Sequence, residues 1–182
     1  MSLPAFDLSG RAAIVTGAGG GFGREIALSL ARVGCDVVAA GRREAPLARV
    51  AADVRELGRR VLVVPTDVTD SAQVNALVAE TMAEWGRIDV LVNNAGSYTG
   101  IAGGSLPELT DEEERARLGE RQVAGRVGRP QEVGPLVAFL ASDAAAYLNG
   151  ATISLDGGAA AGGLVPAGID AGRAAPTGRG AP

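Results

Sequence analysis

Short apolar runs alternate with amphipathic stretches along the first half of the chain. Four runs rich in Val, Ile, Leu and Ala are typical of strands covered on both faces, and they lie at 12–16, 36–40, 61–64 and 90–93. Between them, apolar residues recur at helical spacing over 22–33, 44–57 and about 71–85. Strict alternation with short loops predicts an α/β fold with a doubly wound parallel sheet. Right-handed crossovers give the strand order 3-2-1-4.

The regular alternation stops after Gly96. Residues 97–105 have the composition of a glycine-rich loop. A capping box at Thr110 predicts the start of a polar helix that reaches about Gln122. Pro130 then suits the first turn of a further helix with an apolar stripe.

A glycine-rich loop joins the first strand to the first helix. Its spacing T-G-x-x-x-G-x-G is formed by Thr16, Gly17, Gly21 and Gly23, with Phe22 between the last two glycines. Glycine lets the backbone turn tightly and approach a pyrophosphate, and a helix N-terminus offers free N–H groups to an anion. Because strand, loop and helix follow in this order, the loop predicts a site for dinucleotide phosphates. A plain turn is the alternative.

Composition narrows the classes of function. The 182 residues carry a net charge of −4, which gives no reason to expect nucleic acid or an anionic membrane as a partner. No apolar run reaches the length of about 18 residues that a membrane span needs, and no secretion signal precedes the first strand. Cys35 is the single cysteine, which suits a small buried residue in a reducing, cytoplasmic protein. Histidine and lysine are absent, so no metal site is predicted.

The glycine loop and the run Asn93-Asn94-Ala95-Gly96 together resemble the short-chain dehydrogenase/reductase family. The resemblance covers residues 5–96 and resumes from about Gly125 to Gly158. It implies a Rossmann-type fold, an NAD(P)-dependent oxidoreductase and a small carbonyl or alcohol substrate. It also implies that residues 106–122 form a lid over that substrate.

The resemblance assigns cofactor contacts residue by residue. The glycines of the loop match the pyrophosphate site, a pair after the third strand matches the residues beside the adenine ring, and residues after the fourth strand border the adenosine ribose. The residues so assigned are Gly17, Gly21, Phe22, Gly23, Arg42, Asp67, Val68, Asn93 and Ala95. For Asp67, an ordinary turn residue is the alternative.

The residues after the second strand bear on the choice of cofactor. An NAD-preferring member of the family would hold Asp or Glu at position 41 for the ribose 2′-OH, whereas this chain has Gly41 followed by Arg42 and Arg43. A guanidinium is always charged and can bind a 2′-phosphate through two hydrogen bonds. We therefore predict NADP rather than NAD. The alternative is that both arginines only begin a solvated helix.

The family's catalytic segment has no counterpart in this chain. Two strand–helix units with the catalytic Ser and the Tyr-x-x-x-Lys motif should follow Gly96, and each unit needs roughly 30 residues. Only residues 97–105 stand there, and neither Tyr98 nor Tyr147 has a lysine four positions later. No catalytic residue is assigned. An impaired oxidoreductase, a non-catalytic NADP-binding module, and a non-functional deletion product or faulty gene model remain as alternatives.

The missing strand–helix units also change the expected architecture. We expect a dinucleotide-binding domain over 1–158, with a cofactor half at 1–96, a remainder at 97–158 and a disordered tail at 159–182. The apolar run 151–155 needs burial beside the open edge of the fourth strand, which predicts the order 3-2-1-4-5. Because the helices through which the family commonly pairs are missing, we expect a monomer or a weak dimer.

We expect no measurable NADPH oxidation with panels of ketones or quinones. A general acid–base group contributes about 10²- to 10⁴-fold in rate, and the positioning of the nicotinamide is lost as well. The decay of NADPH absorbance measures the rate. Turnover that Tyr98→Phe abolishes and Tyr147→Phe spares would contradict this expectation, because it would reveal a substitute acid.

Overall fold

The computed structural model describes residues 4–96, 112, 119 and 122–162. The chain divides into two compact units, which are described separately: Met1–Glu108 with Arg129–Thr152, and Leu109–Gly128 with Ile153–Pro182. The strands of the first unit are β1 (Ala12–Thr16), β2 (Asp36–Gly41), β3 (Val61–Pro65) and β4 (Val90–Val92). Its helices are α1 (Gly21–Arg32), α2 (Glu44–Glu56), α3 (Ser71–Trp85) and α4 (Val133–Leu140).

The four strands form a parallel sheet in the order β3-β2-β1-β4, which confirms the order predicted for them. In register, Ile14 of β1 lies between Val38 of β2 and Leu91 of β4. Every residue of β1 is buried, because this strand has a neighbour on each side and helices over both faces. The carboxyl ends of all four strands therefore meet at one edge of the sheet.

The two faces of the sheet carry cores of different size. Alternate residues of β1 point to opposite faces. Ala13 and Val15 join a large buried cluster with residues of α1 and α2, and Val133 and Val137 of α4 pack against it. The other face is covered by α3, and its buried cluster consists of Ile14, Val38, Ala40, Val64 and Leu77.

Helix α4 packs closely on α1. A side chain at Gly134 would overlap the hydroxyl of Ser29 and approach the carbonyl of Glu25 to 2.7 Å. On the following turn, the Asp143 carboxylate accepts a hydrogen bond of 2.6 Å from the guanidinium of Arg11. These contacts hold residues 134–143 against the first helix and against Arg11, which precedes β1.

The ends of the helices follow the expected signals. The Asp70 carboxylate caps α3 by accepting a hydrogen bond of 2.8 Å from the Ala72 N–H, and Gly86 ends that helix in the left-handed conformation with a φ of 70°. The helix predicted from Pro130 begins as a short 3-10 turn and becomes α-helical at Val133. In the part of the chain described, no helix is both long and apolar enough to cross a membrane.

Cys35 is a fully buried free thiol, as expected from its place between α1 and β2. Burial, assisted by the negative charge of Asp36, raises the pKa of this thiol to about 12. Its Sγ lies 3.3 Å from the carbonyl oxygen of Arg11, to which it donates. The thiol is therefore protonated and shielded from reagents at neutral pH.

The predicted fifth strand is wrong. Residues 151–155 form no strand, and the sheet ends at β4 within the described residues; the Leu155 side chain stays 54% exposed. At the end of β4, the Val92 carbonyl accepts hydrogen bonds from the Thr16 hydroxyl and the Asn94 N–H. An apolar run indicates a preference for strand, but it cannot supply a neighbour with free backbone groups.

The second unit contains a loop at 122–128 and a short helix, α5 (Ala159–Gly162). Ala124 donates a backbone hydrogen bond of 2.9 Å to the Gly157 carbonyl. Helix α5 occupies the start of the tail for which the sequence predicts disorder, and the rest of that tail lies outside the described residues. The predicted lid helix is likewise almost wholly outside them.

We expect Gly134→Val to lower the free energy of unfolding by about 1 to 3 kcal/mol, because the new side chain must push α4 away from Ser29. Pro135→Ala is the matched control on the exposed side of the same helix, and we expect its effect to stay within about 0.5 kcal/mol. Urea unfolding followed by circular dichroism measures both. Equal effects of the two substitutions would contradict close packing at Gly134.

Candidate functional site

A cleft of about 590 Å³ lies at the carboxyl ends of the strands. The loops after all four strands contribute to it. Its lining residues are Gly17, Gly19, Gly20, Gly21, Gly41, Arg42, Arg43, Pro46, Leu47, Thr66, Asp67, Val68, Thr69, Ala95 and Gly96. Open α/β sheets bind their ligands in a crevice at this edge.

The glycine loop forms the floor between β1 and α1. Gly17 has a φ of 66°, which favours glycine, and a Cβ there would come within 3.0 Å of the Ala95 Cα. A Cβ at Gly23 would overlap the Gly17 carbonyl and lie 2.6 Å from the Asn94 side-chain nitrogen. Helix α1 begins at Gly21, and the preceding Gly20 has no side chain to cap it. The first N–H groups of α1 therefore have no side-chain partner from the N-cap residue.

A set of hydrogen bonds between β1 and the end of β4 positions this loop. The Thr16 hydroxyl accepts the N–H groups of Asn94 and Ala95, each at 3.0 Å. The Asn94 side chain returns a hydrogen bond of 2.8 Å to the Thr16 carbonyl and one of 3.4 Å to the Gly17 carbonyl. Sequence reasoning assigned no role to Asn94, although it stands within the quoted run. Its position beside the glycine loop was the missed signal.

The loop after β3 holds Asp67 in a fixed turn. Its carboxylate accepts hydrogen bonds from the Thr69 N–H at 3.0 Å and the Thr69 hydroxyl at 2.8 Å. These bonds, with a smaller contribution from the charge of Arg42, lower the pKa of Asp67. Asp67 is therefore a turn residue, and it also lines the cleft. Val68 lines the cleft beside it and is 44% exposed.

The end of β2 gives the cleft its positive charge. Arg42 and Arg43 both line it and are exposed, while Asp67 supplies the one carboxylate among the lining residues. A Cβ at Gly41 would meet Leu47 at 3.6 Å, which is ordinary contact. An acidic side chain could therefore begin at position 41 without a clash at its Cβ.

The structure places seven of the nine predicted contact residues at or beside the cleft. Six of them line it, and Gly23 packs beneath the loop. Phe22 and Asn93 are exposed and are not among its described lining residues. Several lining residues carried no assignment from the sequence, among them Leu47 and Thr66, whose positions depend on how α2 and β3 pack.

The described part of the cleft has no group for acid–base or nucleophilic chemistry of the kind the family uses. Tyr147 is fully exposed and does not line the cleft, and Tyr98 lies outside the described residues. The described residues contain no cluster of side chains that could hold a metal ion. The glycine loop, the N-terminus of α1 and the arginines of the described lining suit the binding of an elongated anion.

Comparison with models of known protein families shows to which family the chain belongs. The model of the short chain dehydrogenase family matches residues 11–133. Since this is more than half of the 182 residues, the chain belongs to that family of oxidoreductases.

Curated relatives are longer than this chain. It is 48% identical over 94 residues to the short chain dehydrogenase/reductase astE of Aspergillus oryzae, covering 51% of this chain and 36% of that protein. It is 43% identical over 96 residues to 2-dehydro-3-deoxy-D-gluconate 5-dehydrogenase of Escherichia coli, covering 53% of this chain and 37% of that protein. The chain thus spans little more than a third of the length of these relatives.

Solved structures show the same fold. A short-chain type dehydrogenase/reductase from Mycobacterium marinum superposes with a TM-score of 0.76 at 24% identity, covering 87% of this chain and 99% of that chain. Pseudomonas aeruginosa RhlG in its NADP active-site complex gives a TM-score of 0.77 at 22% identity, with the same coverage. Because the matches run along nearly the whole of both chains, the smaller size of this chain fits an internal deletion.

We expect Thr16→Val to lower the free energy of unfolding by about 1 to 3 kcal/mol, because the Ala95 N–H loses its acceptor and the Asn94 N–H keeps only the Val92 carbonyl. Thr81→Val is the matched control. Its hydroxyl is also buried but donates only to the Leu77 carbonyl of its own helix, so we expect a change within about 1 kcal/mol. Denaturant unfolding measures both variants. A larger loss for Thr81→Val would contradict the role given to Thr16.

Proposed function

We propose that this chain binds a nicotinamide dinucleotide through its adenosine half and prefers NADP to NAD. The loop at Gly17 and Gly21, with the N-terminus of α1, receives the pyrophosphate. Asp67 and Val68 flank the adenine, and Ala95 borders the ribose. The volume of the cleft, about 590 Å³, and the convergence of these loops at one sheet edge support the assignment.

The end of β2 is the single observation that carries the preference for NADP. A 2′-hydroxyl is recognised by a carboxylate, and a 2′-phosphate by a guanidinium. Arg42 and Arg43 line the part of the cleft at the end of β2. Position 41 is a glycine, so it places no carboxylate beside them, although a Cβ would fit there. The carboxylate of Asp67 already accepts two hydrogen bonds from Thr69 through Oδ1. Two positive charges against one negative charge favour the additional phosphate.

Catalysis is the part of the family's function that we infer to be impaired. Bound NADP would supply a hydride acceptor at its nicotinamide ring. Proton transfer to or from a small carbonyl or alcohol then needs a positioned acid or base, and the chain contains neither lysine nor histidine. We propose a cytoplasmic short-chain dehydrogenase/reductase whose cofactor half is retained and whose reacting half is lost.

A non-catalytic NADP-binding module is the second candidate. The retained hydrogen bonds between Thr16 and Asn94 favour it, since they preserve the cofactor loop without any reacting group. A non-functional deletion product is the third candidate. Binding of NADP⁺ separates it from the other two, and hydride transfer separates the enzyme from the module.

We expect calorimetry to show weak binding, with NADP⁺ preferred to NAD⁺. Arg42→Ala should reduce that preference about tenfold, because a charge-assisted hydrogen bond to the 2′-phosphate contributes about 1.5 to 3 kcal/mol. Gly41→Asp should favour NAD⁺ by repelling the phosphate and accepting from the 2′-hydroxyl.

Arg49→Ala is the matched control for that experiment. Arg49 is an exposed arginine of α2 that does not line the cleft, so its removal tests the loss of positive charge alone. Equal affinity of the unsubstituted chain for both cofactors would overturn the assignment of NADP. Failure to bind either cofactor would favour the non-functional product.

A further inference from the structure

Helix α3 carries its charged residues on one narrow strip of its surface. Gln73, Glu80 and Glu84 are confined to a strip of about 40° when residues are placed at 100° intervals. Leu77 and Thr81 are buried against the sheet. Val78 and Met82, on the flank opposite the glutamates, remain 43% and 45% exposed. A helix with so narrow a charged strip is typical of one that is buried on more than one side.

The sheet beside α3 is also bare. Leu91 of β4 is in register with Ile14, so both side chains lie on the α3 face of the sheet. The buried cluster under α3 draws its strand residues from β1, β2 and β3, and from none in β4. One helix is about 10 Å wide and covers about two strands at their spacing of about 4.8 Å. Leu91 therefore lies beyond the cover of α3 and is 59% exposed.

The handedness of the connection from β3 through α3 to β4 determines which flank of α3 lies next to Leu91. A right-handed connection from β3 to β4 runs α3 antiparallel to the strands. With Leu77 and Thr81 facing the sheet, this direction turns the flank of Val78 and Met82 toward β4. That flank and Leu91 form the wall and floor of an apolar trough about one helix wide, with uncharged Asn75 near one end.

We propose that this trough is the interface of a symmetric dimer, in which α3 of a second copy lies over Leu91 beside α3 of the first. The same contact occurs twice, so each copy fills the trough of the other, which is the isologous arrangement of two-fold dimers. The outward side of α3 consists of Ala72, Ala76, Ala79 and Ala83, whose small side chains allow close approach of a second sheet.

Charge favours a second copy over an unlike partner. Each chain carries a net charge of −4, so two copies can meet closely only through a surface without like charges. The trough has no charged side chain of α3, because Glu80 and Glu84 point to the opposite flank. At its strand side, Arg87 and Asp89 neutralise each other at 2.7 Å. An uncharged, self-complementary surface offers little to a charged partner.

The experiment is sedimentation velocity on the full chain over about a hundredfold range of concentration, where mass action separates dimer from monomer. We expect a dimer that dissociates on dilution, and a monomer throughout for Met82→Glu. Leu148→Glu is the matched control, since Leu148 is 46% exposed but lies outside α3 and β4. We expect it to leave the dimer unchanged. Circular dichroism confirms that each variant is folded.

A thiol reporter keeps the test decisive if Met82→Glu fails to fold. Cys35 is buried and unreactive, so Met82→Cys would give a single accessible thiol. We expect its labelling rate to fall several-fold as concentration rises, and that of Leu148→Cys to stay constant. A parent chain that is monomeric throughout would overturn the proposal, as would protection of Met82→Cys at every concentration, which indicates cover from within one chain. Dissociation by Leu148→Glu alone would also overturn it.

Discussion

The geometry of the cleft depends on the hydroxyl group of Thr16. This oxygen accepts two backbone N–H groups that follow β4, at positions 78 and 79 residues away along the chain. The Asn94 side chain closes the set by donating to the carbonyls of Thr16 and Gly17. Parallel strands cannot be joined by a tight turn, so side-chain contacts of this kind must align their ends. The glycine loop rests on that alignment, because Gly23 packs directly on Gly17.

The sheet is supported unequally on its two faces. Helices α1, α2 and α4 share a large buried cluster with the sheet, and Arg11 and Gly134 fix α4 to it. Among the described helices, α3 alone packs on the opposite face. This asymmetry explains how a chain spanning about a third of its curated relatives can retain an ordered cofactor loop while leaving apolar surface on α3 and β4 exposed.

Binding a dinucleotide and transferring a proton need different chemical groups in the cleft. Binding an elongated anion needs backbone N–H groups, glycines and guanidiniums, and all of these survive in the described loops. Moving a proton needs a side chain whose pKa lies near neutrality. The described lining residues offer only permanently charged arginines and one carboxylate, Asp67, whose pKa is lowered by its turn. The described lining residues therefore carry the groups that the binding of an elongated anion needs.

Local pattern was enough to predict the four strands, the helices between them and six of the residues that line the cleft, because apolar periodicity, glycine spacing and the Asp70 cap act over a few residues. It could not predict the contacts of Asn94 or the packing of Leu47, which depend on residues distant in the chain. It also predicted a fifth strand at 151–155 that does not form. Whether an apolar run joins a sheet depends on the availability of unpaired backbone groups at a sheet edge beside it. That availability is a property of the tertiary structure alone.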